Sequence, residues 1–203
     1  MTLSAKGTRL NRRGLETRRL LLDVAVRCLA DGGPESVSAN LVAREAGVTW
    51  GTVQHQFGDV DGLWAAVLRH VSGPRRTFLP PSAQHEDLGA RVEEVVALVW
   101  DALDRPAVRA ITNLRSALPW QRSVLEADFP HTAAALVEWD ERWEESVREA
   151  FAGFAVDPVR LRRVRSLLPG AVRGLHSEQY LSTYADMDDA RRGLAEALTA
   201  YLS

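Results

Sequence analysis

Apolar side chains recur along this chain mainly at steps of three and four residues. In residues 17–30, Leu21, Ala25, Cys28 and Leu29 follow this spacing, which places them on one face of a helix. Segments of the same kind follow as far as the last residues, separated by glycines and prolines. The pattern predicts an all-α protein.

Two short segments of this kind flank a turn at residues 46–48, which read Ala-Gly-Val. Gly47 can adopt the positive φ that such a turn requires. The segment after the turn, residues 49–57, places Val53 and Phe57 on one helical face. Two short helices joined in this way are typical of a helix-turn-helix, whose second helix enters the DNA major groove. Ser38 is suited to cap the first helix of this motif, and Asp59 is suited to cap the helix that follows the motif.

Prolines 74, 80 and 81 mark a connection, after which longer helices are predicted over about residues 87–104, 106–118 and 130–151, and two more towards the end. We therefore expect a flexible basic arm over residues 1–16. An N-terminal three-helix helix-turn-helix DNA-binding domain follows over residues 17–72. A C-terminal helical domain is expected over residues 75–203.

The net charge of −2 hides an asymmetry along the chain. Residues 73–203 hold 16 basic and 20 acidic residues. Residues 1–19 hold one acidic residue, Glu16, against Lys6, Arg9, Arg12, Arg13, Arg18 and Arg19. A basic segment before a helix-turn-helix is suited to contact DNA phosphates. The alternative is a free, solvated tail.

The first 70 or so residues carry, in order, Thr17, Arg18, Ala25, Leu29, Gly33, Ser38, Val42, Ala43, Ala46, Gly47, Val48, Gly51, Thr52, Phe57 and Leu63. At these positions they resemble the DNA-binding domain of the TetR family of transcriptional regulators. The resemblance implies an all-α homodimer that binds a palindromic operator in double-stranded DNA. It also implies that the protein represses transcription and leaves DNA when a small molecule binds the C-terminal domain.

The recognition helix departs from the family pattern. Gln54, His55 and Gln56 stand where two aromatic residues and a histidine are common, and Val60 replaces a usual lysine. No lysine or arginine lies between Glu45 and Leu68, so the helix is polar and neutral. We expect Trp50, Gln54 and His55 to read bases, although Trp50 could instead pack against its neighbours. Thr49, Thr52, Gln56 and Arg44 are assigned to phosphates, and Arg12, Arg13, Arg18, Ser38 and Gly51 complete the predicted DNA-binding set.

Four of the six tryptophans fall in the middle helices. Large apolar side chains with a few polar groups suit a small-molecule cavity between helices, and would favour a bulky, mainly apolar effector. A filled core is the alternative. The predicted ligand-binding residues are Trp100, Leu103, Trp120, Phe129, Trp139 and Trp143.

The last two helices carry apolar stripes suited to helix packing across a dimer. A four-helix interface would set two recognition helices a whole number of DNA turns apart. The alternative is that both stripes close onto their own chain. The predicted interface residues are Leu161, Val164, Leu168, Ala171, Leu175, Leu194, Leu198 and Tyr201.

Other functional classes find little support in the sequence. The nucleophile elbow, phosphate loop, dinucleotide fingerprint and zinc motifs that mark common enzymes are missing, so we expect neither an enzyme nor a cofactor. The histidines share no metal-ligand spacing, so no metal site is expected. A DNA-binding regulator without a small ligand, controlled by abundance or by a protein partner, is the competing interpretation.

We expect a cytoplasmic protein without a membrane partner. No apolar run reaches the ~20 residues that span a bilayer, and the start lacks the features of a secretory signal. The single cysteine, Cys28, is expected to be a small core residue, with a redox switch as the alternative.

Overall fold

The computed structural model describes residue 7 and residues 9–32, 37–73, 77–81, 87–183 and 186–203. Much of the basic arm, including Lys6, lies outside these residues, as do Gly33 and Pro74. The described residues form ten helices and confirm the all-α fold. The helices are α1 (Arg12–Asp31), α2 (Ala39–Glu45), α3 (Trp50–Phe57), α4 (Val60–Ser72), α5 (Leu88–Leu103), α6 (Pro106–Ala117), α7 (Arg122–Asp128), α8 (Pro130–Ala150), α9 (Pro158–Leu181) and α10 (Met187–Leu202).

Side-chain caps fix several helix starts. Ser38 accepts a hydrogen bond from the backbone N–H of Leu41, and Asp59 accepts one from Gly62. Both predicted caps are therefore confirmed. The first helix differs from the prediction, because Asn11 caps it by accepting from the N–H of Gly14 at 2.8 Å. Residues 12–16, assigned by the sequence to a flexible arm, are thus helical.

The helices divide into two compact units. The first contains residues 1–76 and 105–140. Its core is formed by the four helices α1, α2, α3 and α4 together with α6. It includes Leu21, Leu63 and Leu114, each fully buried. The side-chain amide of Asn113 in α6 donates to the carbonyls of Leu29 and Gly32, which closes the C-terminal end of α1.

The second unit contains residues 77–104 and 141–203. Its core is formed by α5, α9 and α10 with the last part of α8, and includes Val95, Val172 and Leu202. Arg91 is 1% exposed within it and donates hydrogen bonds to the carbonyls of Ala150 and Pro80. A buried guanidinium is tolerated here because these acceptors replace its water shell.

The division differs from the predicted domains. Residues 105–140, assigned by sequence to the C-terminal domain, pack with the N-terminal helices. The short helix α7 has no counterpart in the sequence-based assignment. No helix among the described residues is both long and apolar enough to cross a membrane.

Candidate functional site

The turn between α2 and α3 is built on Gly47, which has φ +65°. Its N–H donates to the carbonyl of Arg44, and the N–H of Val48 donates to that of Ala43, both at 3.0 Å. These bonds satisfy carbonyls at the end of α2 that have no partner within the helix. The turn sets the angle at which α3 leaves α2, as a helix-turn-helix requires.

One side of α3, together with its cap Thr49, presents a polar surface. Thr49 caps the helix by accepting from the N–H of Thr52 at 3.3 Å, and the two hydroxyls lie 3.1 Å apart. Gly51, Gln54 and His55 are exposed. On the opposite side, Val53 is fully buried and Phe57 is 7% exposed. The helix is therefore anchored on one side and free to meet a ligand on the other.

Trp50 is half-buried and packs against the core of the first unit. At least part of the Trp50 side chain is therefore used for packing, which was the alternative to a base contact. Ser38 is half-buried and its hydroxyl caps α2. Thr49, Thr52, Gln54 and His55 are still predicted to contact DNA.

Basic side chains lie on α1 and α2. Arg12 and Arg13 open α1 and are exposed, and Arg12 pairs with Glu16 at 3.0 Å. Arg44 is exposed and pairs with the adjacent Glu45. Exposed pairs of this kind are weak, and a phosphate can replace the carboxylate. A groove beside the start of α1 is lined in part by Arg9, Arg12 and Arg19.

Arg18 and Gln56 do not fit the phosphate-contacting role predicted for them. Gln56 is 4% exposed, and its side-chain N–H donates to the carbonyl of Gly14 at 3.1 Å. Arg18 is half-buried, donates to the backbone carbonyl of Gln56, and stacks on the ring of Phe57 at 4.3 Å. Burial lowers the pKa of the Arg18 guanidinium from its ordinary value. Both side chains are used to join α1 to α3, a tertiary contact that helical spacing does not reveal.

The start of α4 lies directly against the end of α3. A Cβ atom at Gly62 would lie 2.0 Å from the carbonyl oxygen of Phe57. Only glycine fits this approach. Sequence reasoning missed Gly62, because a close backbone approach of this kind depends on the relative placement of two helices.

Asp61, the second residue of α4, is bonded to the start of α8. Its carboxylate accepts from the N–H groups of His131 at 2.8 Å and Thr132 at 2.7 Å. The Thr132 hydroxyl donates to the Asp61 carbonyl at 3.1 Å. Asp61 is 6% exposed and Thr132 is fully buried. A carboxylate at a helix N-terminus also interacts favourably with the helix dipole, so this contact ties α4 to α8.

The predicted ligand-binding residues are divided between the two units. Phe129 and Trp139 pack against the core of the first unit, and Trp100, Leu103 and Trp143 belong to that of the second. The Trp143 indole N–H donates to the carbonyl of Arg165 at 3.0 Å. Trp120 is 92% exposed, which contradicts its assignment to a cavity wall. Neither unit by itself brings the six residues together.

The predicted dimer stripe on α9 faces inward in part. Val164 and Leu168 are each 2% exposed, and Leu198 of α10 is 4% exposed, all within the core of the second unit. These three residues therefore close onto their own chain. Half-buried side chains continue the stripe, and Tyr201 is 37% exposed. The half-buried members are Leu161, Ala171, Leu175 and Leu194.

A different face of α9 is exposed. Leu167 is 46% and Leu181 is 76% exposed, and a Cβ added at Gly170 or Gly174 would meet nothing within 4 Å. Residues 167, 170, 174, 177 and 181 follow one another at steps of three and four, so they lie on one side of the helix. In the sequence, the signal for this face is the pair Gly170 and Gly174, which would let a partner backbone approach closely.

Residues 21–67 match the family model described as bacterial regulatory proteins, tetR family. Regulators named BetI from Burkholderia cenocepacia strain HI2424 and Burkholderia ambifaria strain MC40-6 are each 29% identical over 154 residues. Those alignments cover 74% of this chain and 65%, just under two thirds, of the relatives' length.

Solved structures share the fold. A TetR-family regulator from Streptomyces coelicolor matches with a TM-score of 0.66 at 20% identity, covering 92% of this chain and 80% of that one. A multidrug binding protein, EbrR, complexed with imidazole, matches with a TM-score of 0.59 at 24% identity, covering 99% and 98%. The matched residues 21–67 contain the helix-turn-helix and most of α1 and α4. Within residues 21–67, the chain is therefore similar to the tetR family of bacterial regulatory proteins.

Proposed function

We propose that this protein is a sequence-specific DNA-binding transcriptional regulator, acting as a homodimeric repressor on a palindromic operator. The observation that carries the proposal is the polar surface of α3, formed by Thr49, Gly51, Gln54 and His55, on a helix whose other side is buried. A recognition helix needs both properties, because base contacts require exposed donors and acceptors held in a fixed place.

Gln54 and His55 are suited to read base edges. A glutamine side chain can pair with adenine through two hydrogen bonds, and each good pair of this kind discriminates by ~1–3 kcal/mol. Gly51 leaves room for the backbone of α3 to come close to DNA. The hydroxyls of Thr49 and Thr52 stand at the helix N-terminus, which is suited to a phosphate.

The positive charge for phosphate contacts comes from outside α3. Exposed Arg12 and Arg13 at the start of α1, and Arg44 at the end of α2, supply it. Because α3 itself is neutral, removal of one of these arginines should weaken binding to all DNA sequences and reduce its salt dependence by about one unit of slope.

The homodimer forms through the exposed face of α9, residues 167, 170, 174, 177 and 181. Gly170 and Gly174 let a second backbone approach closely, and Leu167 and Leu181 supply apolar area on either side. In solution the protein should therefore have twice the 22.4 kDa mass of one chain. Gly174→Glu should yield the monomer and abolish operator binding while leaving helix content unchanged.

A small, mainly apolar ligand releases the protein from DNA. The aromatic side chains of the second unit support such a ligand, with Phe78 and Trp143 at a ring distance of 6.3 Å and Phe151 and Phe154 at the same distance. The similar fold of a protein named for multidrug binding agrees with this class of effector. A ligand that binds one arrangement of α8 more tightly than another would act on α4 through Asp61. The size of this effect is set by the difference in ligand affinity between the two arrangements.

A regulator without a small ligand is the second candidate. The tight burial of Trp100, which is 7% exposed, favours it, because a filled core leaves no room for an effector. Thermal unfolding with a library of apolar compounds separates the two candidates. A ligand that binds only the folded state raises the melting temperature, whereas a regulator controlled by its abundance shows no shift with any compound.

The DNA-binding proposal is tested by selection from sheared genomic DNA of the encoding organism. The wild type should enrich a two-fold symmetric sequence next to a gene cluster, and the Gln54→Ala, His55→Ala variant should lose that enrichment while retaining general DNA affinity. Selection is repeated with protein that has been unfolded and refolded, which removes any bound ligand. Absence of enrichment in both preparations would contradict the proposal.

A further inference from the structure

We infer that Arg18 and Gln56 are positioning residues that fix the recognition helix α3 to the basic start of α1, instead of contacting DNA phosphates themselves. The inference rests on the proposed function, since it assigns α3 to base reading and the start of α1 to phosphates. We name this pair of side chains the α1–α3 clamp.

The first half of the clamp is Arg18. Its guanidinium donates to the backbone carbonyl of Gln56, one of the last carbonyls of α3, which have no partner within the helix. It also lies 4.3 Å from the centre of the Phe57 ring. A cation at the C-terminal end of a helix interacts favourably with the helix dipole. The planar group is thus held by a hydrogen bond and by a ring, both at the end of α3.

The second half of the clamp is Gln56. Its side chain runs in the opposite direction, from α3 to the carbonyl of Gly14 in the first turn of α1. At 4% exposure it has no access to a phosphate. Two bonds of opposite direction between the same two helices restrict both sliding and rotation of α3.

The clamp joins the two parts of the proposed DNA surface. Gly14 directly follows Arg12 and Arg13, so the same turn of α1 carries the phosphate-contacting arginines and the carbonyl held by Gln56. Phosphate contacts fix the register of a protein on DNA, while base contacts read the sequence. The clamp therefore transmits the register set by α1 to the side chains of α3.

Salt dependence separates a positioning residue from a phosphate contact. The probes are the duplex enriched in the genomic selection and a scrambled duplex of equal length and composition, each titrated between about 50 and 200 mM salt. Arg18→Met should lower affinity for the selected duplex by about tenfold or more, the discrimination of one base-reading pair. Its affinity for the scrambled duplex and its salt slope should match the wild type.

Arg13→Met is the matched control. It removes the same charge from an exposed position five residues earlier in α1. It should weaken binding to both duplexes equally and lower the salt slope by about 0.9. If Arg18→Met behaves in this way, the inference is overturned.

Arg18→Lys keeps the charge and covers the case in which Arg18→Met fails to fold. A lysine retains a phosphate contact but loses the planar stacking geometry. Loss of specific affinity in Arg18→Lys supports the clamp, and wild-type affinity overturns it. Gln56→Leu, which carries no donor for Gly14, should reproduce the behaviour of Arg18→Met.

Hydrogen exchange tests the clamp without DNA. Arg18→Met should speed exchange of the backbone amides at residues 53–57 and leave α10 unchanged, whereas Arg13→Met should alter neither. Unchanged exchange at α3 would overturn the clamp. Failure of the wild type to prefer the selected duplex would instead overturn the proposed function, so the two failures are distinguishable.

Discussion

Gly62 is the position at which the packing of the recognition helix is most sensitive to a single methyl group. It lies in the first turn of α4, where its N–H donates to Asp59 at 2.7 Å. A Cβ atom there would lie 2.0 Å from the Phe57 carbonyl oxygen and 3.1 Å from the carbonyl carbon. Both atoms belong to backbone, so no side-chain rotation can relieve the overlap.

Helix propensity and packing make opposite predictions for Gly62→Ala. Propensity alone would stabilise α4 by up to about 1 kcal/mol. Relief of the overlap requires movement of the α3 end by more than 1 Å, and overpacking of this kind costs ~1–3 kcal/mol. We place Gly62→Ala at the upper end of that range, so its free energy of unfolding should fall by a net ~2 kcal/mol.

Gly51→Ala is the matched control. Gly51 lies in the first turn of the neighbouring helix α3, and a Cβ there would meet only the Thr49 hydroxyl oxygen at an ordinary 3.7 Å. This variant should gain ~0.5–1 kcal/mol. Urea unfolding followed by circular dichroism gives both values. If Gly62→Ala is as stable as Gly51→Ala, the close approach of α3 and α4 described here is incorrect.

Three further predictions concern other parts of the molecule. Asp61→Ala leaves two N–H groups of α8 without their charged acceptor and should lower the free energy of unfolding by ~3 kcal/mol. Asp59→Ala loses only an exposed cap and should lower it by ~1 kcal/mol, so equal losses would refute the tie between α4 and α8. Deletion of residues 1–9 removes Lys6 and Arg9 but spares the buried Leu10 and the α1 cap, and should lower the salt slope of operator binding by up to about two units, one for each basic residue. An unchanged slope would mean that the arm is a free tail. Burial and, to a smaller extent, the charge of Glu45 raise the pKa of the Cys28 thiol, so less thiolate forms near neutral pH. Alkylation by iodoacetamide should therefore be slower in the folded protein than in urea, and equal rates would contradict the burial of this thiol.

Local chemistry explains what the sequence predicted well. Ser38 and Asp59 were identified as caps because a short polar side chain before an apolar helix has a local partner. The limits of α4 follow from Asp59 and from Gly73, with φ 58°, at its end. Such features depend on neighbours within four residues, which the sequence displays directly.

Tertiary contacts explain what the sequence did not reveal. Gln56 looks like a DNA contact on a polar helix, and only the approach of Gly14, 42 residues away, shows that it is buried. The stripe through Val164 and Leu168 is apolar because it fills the core of its own unit, while the exposed face of α9 combines Gly170 and Gly174 with Leu167 and Leu181. Trp120 is exposed, and nothing in the sequence around it distinguishes it from a buried tryptophan.

We propose that a dimer of this chain recognises one DNA sequence through the polar surface of α3. The most direct measurement is the affinity and stoichiometry of the purified protein on the selected duplex and on a scrambled duplex, at one physiological salt concentration. Two chains should bind each selected duplex, with an affinity at least ~10³-fold above that for the scrambled duplex. Equal affinity for the two duplexes would contradict it.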